Sequence, residues 1–420
     1  MSAGFDPPRG TDDLLPPESD RIEALAAAAG HTARLFGFRP VETPSLDHTE
    51  VFARTSGESS DVVTKEMYTF EDRAGRSLTL KPEGTASVVR AYLRHRHELP
   101  LPFRGYYVER TWRYGRPQSG RLREFRQFGV EILGTDAPEA DVEVIAVGDR
   151  YLRDHGLERL DLRLNTIGDG ACRPAYRDAL LAYLRDHREE LTDEHRDGFE
   201  RNPLRVLDCK DAGCRAVAGG APLITDFLCE PCAAHHAAVK AGLDAWSIGY
   251  TEDPRLVRGL DYYTRTAFEF ESDVLSEAQA TVCGGGRYDG LAEVLGGDRT
   301  PGVGFGMGLE RVLMAMGKEG VPLPVARGAA CYVVAVGRGR EAAWTLVRAL
   351  RAAGVAAETT LGERPLKAQL RAADRAGAVY AAIVGDREAD AGVVTMRRLS
   401  DGEQQAVPRE EVTAWLASRA

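Results

Sequence analysis

The sequence predicts an α+β chain, and three observations carry that expectation. The front half alternates extended apolar runs with tight turns, which is hairpin chemistry. Residues of about 170–245 break that pattern with charged, helical texture. From Ala326 onward strands and helices alternate, as in a small α/β module.

Each element follows from its residues. A turn-rich stretch, Arg9 to Pro17, precedes a helix from about Glu18 to Phe36, with Ile22, Leu25, Ala26, Ala29, Ala33 and Phe36 on one face and Gly37 as its stop. Phe38–Glu42 reads as a strand. Val63–Phe70 and Ser77–Leu80 flank the turn Glu71–Gly75, a hairpin. Lys81-Pro-Glu-Gly-Thr85 then leads into a helix over Ala86–Leu93. Tyr106–Gly134 reads as strand, loop, strand. A helix over Ala140–His155 and a strand over Leu160–Leu164 precede the helical segment, and strands return at Leu256–Ser272 and Thr281–Val282. Gly302–Gly308 leads into a helix over Leu309–Met316, and Gly320–Pro324 is a linker. In the tail, strands are expected at Ala330–Val336, Val355–Thr359, Ala378–Gly385 and Val393–Arg398. Helices are expected at Glu341–Ala353, Pro365–Ala376 and Arg409–Ser418.

Composition narrows the function classes. With 43% hydrophobic and 28% charged residues, the chain reads as an ordinary globular protein. No signal pattern opens it and no apolar run is long enough to span a membrane, so the expected location is the cytoplasm. A net charge of −10 makes it a poor nonspecific nucleic-acid binder. Nucleic acid must be met by local basic patches. From Arg104 to Arg126 there are seven arginines against two glutamates, a local net of +5 that suits a bound polyanion. The tail from Ala326 carries a net of +3.

Several motifs carry chemistry. The glycines of Gly302-Val-Gly-Phe-Gly-Met-Gly308 alternate strictly, so on a strand they share one face and Val303, Phe305 and Met307 share the other. A bare face lets a flat ligand lie against backbone; a glycine strand packed under a helix would look the same. The spacing fits neither a phosphate loop nor a dinucleotide fingerprint. Lys81–Thr85 offers a carboxylate and a hydroxyl on a tight loop, and would equally serve as a helix cap. Arg123, Phe125, Gln127, Gly129 and Glu131 share one strand face, which reads as a wall for an anion, a flat base and a polar cation. Leu256–Thr264 sets Arg258 among apolar residues before Tyr262 and Tyr263, while Gly284–Gly290 could be a plain turn.

In this order the motifs resemble the histidyl-tRNA synthetase family of class II aminoacyl-tRNA synthetases, over nearly the whole chain. The first class II motif would run from the helix at Glu18–Phe36 to Pro44, the second is Tyr106–Gly134, and the third is Gly302–Arg311. Arg9–Asp13, Lys65–Phe70, Leu80–Thr85, Asn202–Asp208, Leu256–Thr264 and Gly284–Gly290 are similar to family blocks. Gly115 stands where the family more often has a glutamate, and Lys81 where an arginine is common.

The resemblance implies a class II antiparallel sheet with flanking helices over residues 1–322, a helical insertion at about 170–245 and an anticodon-binding α/β domain at 326–420. It implies a homodimer that forms histidyl-adenylate from L-histidine and ATP with Mg2+, then loads tRNA(His). Arg258 and Arg113 would meet the α-phosphate, with Arg258 the main catalytic group and Arg311 a third; Arg121 and Arg311 would hold the γ-phosphate end. Phe125 would stack adenine against Gly304 and Gly306, and Gln127 would lie at the ATP site as well. Glu83, Gly84, Thr85 and Gln127 would bind the histidine amino group, Glu131 and Tyr263 the ring nitrogens, and Tyr262 would line the pocket. The rival in the same resemblance is a non-catalytic, histidine-binding regulatory subunit of ATP phosphoribosyltransferase.

Cys209-x4-Cys214-x14-Cys229-x2-Cys232 is spaced like a structural zinc site; four ordinary thiols would share that spacing. Cys172, Cys283 and Cys331 look scattered.

Overall fold

The computed structural model describes residues 4–56, 62–115, 122–207, 209, 211–257, 262–276, 279–324 and 328–419. The chain folds as two units, Met1–Pro324 and Val325–Ala420.

The first unit is built on an eight-stranded sheet. Its strands are β1 (Arg39–Pro40), β2 (Phe103–Trp112), β3 (Glu124–Leu133), β4 (Leu160–Thr166), β5 (Thr251–Glu252), β6 (Thr264–Ser272), β7 (Thr281–Arg287) and β8 (Gly302–Gly308). Their spatial order is β1-β2-β3-β8-β7-β6-β4-β5. The six central strands pair antiparallel, and only the short edge strands β1 and β5 pair parallel. The expected antiparallel sheet with flanking helices is therefore present.

Period-two patterning gives the sheet two faces. Phe128, Val130 and Ile132 on β3, Val303, Phe305 and Met307 on β8, and Phe268 and Phe270 on β6 all point into one core. That core is closed by α1 (Glu18–Leu35), α3 (Pro138–Asp154), α5 (Glu230–Ala245) and α6 (Leu309–Glu319). Helix α1 buries Ile22, Leu25, Ala29 and Ala33, the predicted stripe. It stops where Gly37 takes a φ of +78° and the Phe38 N–H returns to the Ala33 carbonyl at 3.1 Å. The opposite face carries the site, and α2 (Thr85–His95) packs beside it through Val88, Val89 and Tyr92.

Four expectations need correction. Val62–Glu66 forms a single π-helical turn rather than a strand, and the strand starts at Tyr68. Leu256 and Val257 lie outside any strand, and β6 begins only at Thr264. Gly284–Arg287 is strand, not turn: glycines reduce strand propensity, but here they sit opposite Gly306 and Gly304 and neighbouring backbones need the space. Gln404–Pro408 is a strand that was not anticipated.

Between β4 and β5 the chain is helical, with α4 at Arg173–Asp186 and α5 at Glu230–Ala245 as its longest helices. The second unit is a five-stranded sheet in the order Ala357–Thr359, Cys331–Ala335, Tyr380–Val384, Val393–Arg398, Gln404–Pro408. Its first three strands are parallel, and the helix Arg340–Ala352 packs on its core through Ala343, Leu346, Val347 and Leu350.

Candidate active site

The site is set by a lattice of glycines on three adjacent strands. Across β3, β8 and β7, Glu131, Gly304 and Gly286 form one row, and Gly129, Gly306 and Gly284 form the next. The missing side chains give neighbouring groups a place to lie. A Cβ on Gly304 would run into the Glu131 carboxylate, one on Gly306 into the Gln127 amide, and one on Gly129 into the Tyr107 ring. The strand alternation read from the sequence is thus real, but these glycines first accommodate polar protein side chains.

Around this floor a cavity is lined by Glu83, Thr85, Arg113, Phe125, Gln127, Tyr262, Tyr263, Gly306, Gly308 and Arg311, all expected, and also by Glu66, Gly115 and Glu310. The loop before α2 delivers Glu83 and Thr85. It is pinned by Lys81, which is 1% exposed, pairs with Glu109 and donates to Thr43 Oγ1 at 3.0 Å. The Gly84 N–H donates to Gln127 Oε1 at 2.9 Å. Glu83 accepts from the Thr85 N–H at 2.7 Å and the Ala86 N–H at 3.0 Å. Burial nevertheless raises its carboxyl above the usual range; those two amides and the Arg113 charge only partly offset it.

Glu131 is fully buried and lies below the cavity rather than on its wall. Thr85 Oγ1 donates to Oε1 at 2.7 Å, Tyr107 donates to Oε1 at 3.3 Å, and the Tyr288 hydroxyl donates to Oε2. Desolvation pushes its carboxyl up to about 8, against the pull of the Tyr288, Thr85 and Tyr107 hydroxyls. Tyr107 and Tyr288 were missed as site residues. Both lie within motifs that were singled out, and only strand pairing reveals that they converge on Glu131.

The same cavity carries cationic groups. Arg113 donates through Nε to the Pro82 carbonyl at 2.8 Å, and its guanidinium lies 5.7 Å from the Phe125 ring centroid. Arg311, in the first turn of α6, donates to the Thr281 carbonyl at 2.7 Å. Glu310 beside it accepts the Arg126 N–H at 2.9 Å. The lining therefore combines a carboxylate, an amide and a hydroxyl with two guanidinium groups and an aromatic ring. That combination suits a zwitterionic amino acid beside a nucleotide phosphate.

Other expected residues do not join the cavity. Arg123 turns to the Tyr114 ring, 3.8 Å from its centroid, because its Nε and Nη1 donate to the Gly115 and Arg9 carbonyls. Gly304 lies beneath Glu131, away from the lining. Arg121 and Arg258 fall outside the described residues. The cysteine quartet divides: Cys209 and Cys214 group with His195, while Cys229 and Cys232 group with Asp169 and Cys172. Cys214 belongs to the core of the helical segment, whereas Cys229 and Cys232 open α5 beside the end of β4, so sequence spacing did not translate into one site.

Comparison with known proteins agrees with this geometry. The family model described as "Histidyl-tRNA synthetase" matches residues 10–192 and 219–312, and one described as "Anticodon binding domain" matches 330–419. The chain belongs to the histidyl-tRNA synthetase family. Histidine–tRNA ligase of Moorella thermoacetica is 49% identical over 403 residues, covering 96% of this chain and 95% of that protein. The enzyme of Desulforamulus reducens is 45% identical over 414 residues, covering 98% and 99%. The crystal structure of apo histidyl-tRNA synthetase from S. aureus superposes with a TM-score of 0.82 at 35% identity, covering 98% of this chain and all of that one. Among the described residues, no helix is long and apolar enough to cross a membrane.

Proposed function

We infer that the chain is an ATP-dependent histidine–tRNA ligase. The observation that carries the reading is that Glu83, Thr85 and Gln127 line one cavity together with Arg113 and Arg311. The histidine carboxylate is already ionised at neutral pH, so its attack on the α-phosphorus needs no general base. The barrier is the approach of an anion to a polyanion, which fixed guanidinium groups lower by meeting the charge that develops.

Glu83, Thr85 and Gln127, with the Gly84 backbone, receive the α-ammonium group. Tyr263 meets the ring nitrogens, Glu131 acts from below the lining through the Thr85 hydroxyl that it accepts, and Tyr262 closes the side of the pocket. Arg113 meets the α-phosphate, together with Arg258 by family resemblance, while Arg311 and Arg121 hold the γ-phosphate end. Phe125 stacks on adenine. Magnesium bound with ATP would supply further neutralisation of the phosphate charge. The basic loop of the second motif faces the tRNA acceptor end, and the C-terminal unit binds the anticodon. The chain works as a cytoplasmic homodimer joined through its first motif.

The regulatory-subunit reading is not favoured. The Desulforamulus and Moorella relatives that match 98% and 96% of the chain are ligases, an anticodon-binding module matches the tail, and two arginines line the cavity. Histidine-dependent ATP–pyrophosphate exchange tests the reading: robust exchange that requires histidine is expected, and its absence in folded full-length protein would refute ligase activity.

A further inference from the structure

A buried cluster of thiols lies outside the reaction site. Asp169, on the loop after β4, Cys172, at the start of α4, and Cys229 and Cys232, at the start of α5, bring their ligand atoms within 4.8 Å of one another. Cys172 Sγ is 3.5 Å from Cys229 Sγ and 3.4 Å from Asp169 Oδ1, and Cys229 Sγ is 3.9 Å from Asp169 Oδ1. A tetrahedral zinc with ordinary bond lengths spaces its sulfurs about 3.8 Å apart and a sulfur and an oxygen about 3.5 Å apart. Asp169, Cys172 and Cys229 already lie close to that spacing, and Cys232 Sγ lies within 4.8 Å of all three.

Its surroundings hold the ligands in place. Two helix N-termini, each of a helix of three turns or more, converge on the thiols. Asp169 is fixed on both sides: Oδ1 accepts the Ala171 N–H at 3.0 Å, and Oδ2 lies 3.5 Å from Arg265 Nη2. Cys172 and Cys232 are buried, and Cys229 is half-buried.

We propose that Asp169, Cys172, Cys229 and Cys232 bind one structural zinc ion, which staples the starts of α4 and α5 to the end of β4. Three soft thiolates and one carboxylate make a closed, four-coordinate set of ligand types that zinc accepts, with no open position. The ligands lose their protons as the metal enters. The staple reaches toward the histidine pocket, because Arg173, next to Cys172, donates to the Ile167 carbonyl at 3.1 Å and to the Tyr263 carbonyl.

Metal analysis of full-length protein, expressed and purified without added metal or chelator, tests it. About one equivalent of zinc per chain is expected, lost in Cys172→Ser and kept in Cys214→Ser, with circular dichroism to verify folding. Should Cys172→Ser fail to fold, cobalt titration of the metal-stripped native protein decides. A charge-transfer intensity for three thiolates supports the site, and an intensity for two, as the His195–Cys209–Cys214 group would give, overturns it. Iron in place of zinc, a Cys172–Cys229 disulfide in the reduced preparation, or less than about a tenth of an equivalent with no cobalt uptake also overturns it.

Discussion

Gly304 and Glu131 face each other across the β3–β8 ladder, and the Glu131 carboxylate occupies the space that a Cβ at position 304 would need. Neighbouring backbone and carboxylate both constrain that space, so Gly304→Ala must push Glu131 off its Thr85 and Tyr288 hydrogen bonds. A misplacement of about 1 Å in a positioning group costs roughly a hundredfold. We therefore expect Gly304→Ala to lose about a hundredfold in kcat/KM for histidine, while the KM for ATP changes far less. Pyrophosphate exchange with each substrate varied in turn measures both. An equal loss on ATP would detach Gly304 from the histidine end.

Glu131 also sets a pH dependence. Its carboxyl is raised from 4.5 to about 8, chiefly by burial. Between those values the folded chain retains a proton that the unfolded chain has released, so this group makes stability fall as pH rises through that window. Glu83, also raised by burial, acts in the same direction. Glu131→Gln removes one of these terms. Urea unfolding of ligand-free protein at about pH 6 and pH 8 should show a smaller stability difference in Glu131→Gln than in the unaltered chain. An unchanged difference would mean that Glu131 ionises normally in the empty pocket.

The two halves of this site were unequally legible in the sequence. Gln127 and Glu131 lie four residues apart on one strand, and strict glycine alternation marks one face of β8; both are period-two signals that survive without tertiary information. Tyr107 and Tyr288 were overlooked because their convergence on Glu131 depends on strand pairing between segments far apart in the chain. Gly284–Arg287 suggested a turn for a related reason, since what a glycine is for depends on the strand beside it. Val62–Glu66 carries β-branched residues yet turns helically, a case of tertiary context overriding propensity. Local spacing also grouped the wrong cysteines, because Cys172 lies 57 residues before Cys229 in the chain and 3.5 Å from it in space.

Arg113 and Arg258 should separate binding from chemistry. Arg113 lines the cavity with Gln127, and its backbone N–H is tied to the Arg123 carbonyl at 2.9 Å, so the strand end keeps that anchor when the side chain is cut back, although the Nε bond to the Pro82 carbonyl is lost. Removing one fixed donor to developing charge typically costs about 10²–10³ in rate. Arg113→Ala should lose that much in pyrophosphate exchange and retain histidine binding by calorimetry. Arg258→Ala, assigned by family resemblance, should lose several orders of magnitude in exchange and likewise still bind histidine. Variants that exchange at the original rate would remove these residues from their roles.

A last prediction concerns stability rather than catalysis. Arg287, at the end of β7, and Asp141, on α3, are both fully buried and form a paired contact through Nε and Nη2. Arg287 also donates to the Thr135 carbonyl at 3.0 Å, the Ala137 carbonyl at 3.1 Å and Asp289 at 3.1 Å, and His235 of α5 lies 3.3 Å from Asp141. Burial alone would raise the Asp141 carboxyl, but His235 and Arg287 outweigh it and hold the group below its usual range. The cluster therefore joins the sheet to two of its covering helices. Cutting one partner from such a pair strands the other's charge in the core, at a cost of about 3–5 kcal/mol. Arg287→Ala should lose that much in urea unfolding, and Arg287→Met should lose less than Arg287→Ala only if Asp141 is replaced by a neutral residue as well. A double-mutant cycle on Arg287 and Asp141 measures the coupling, and additive losses would show that the two residues act independently.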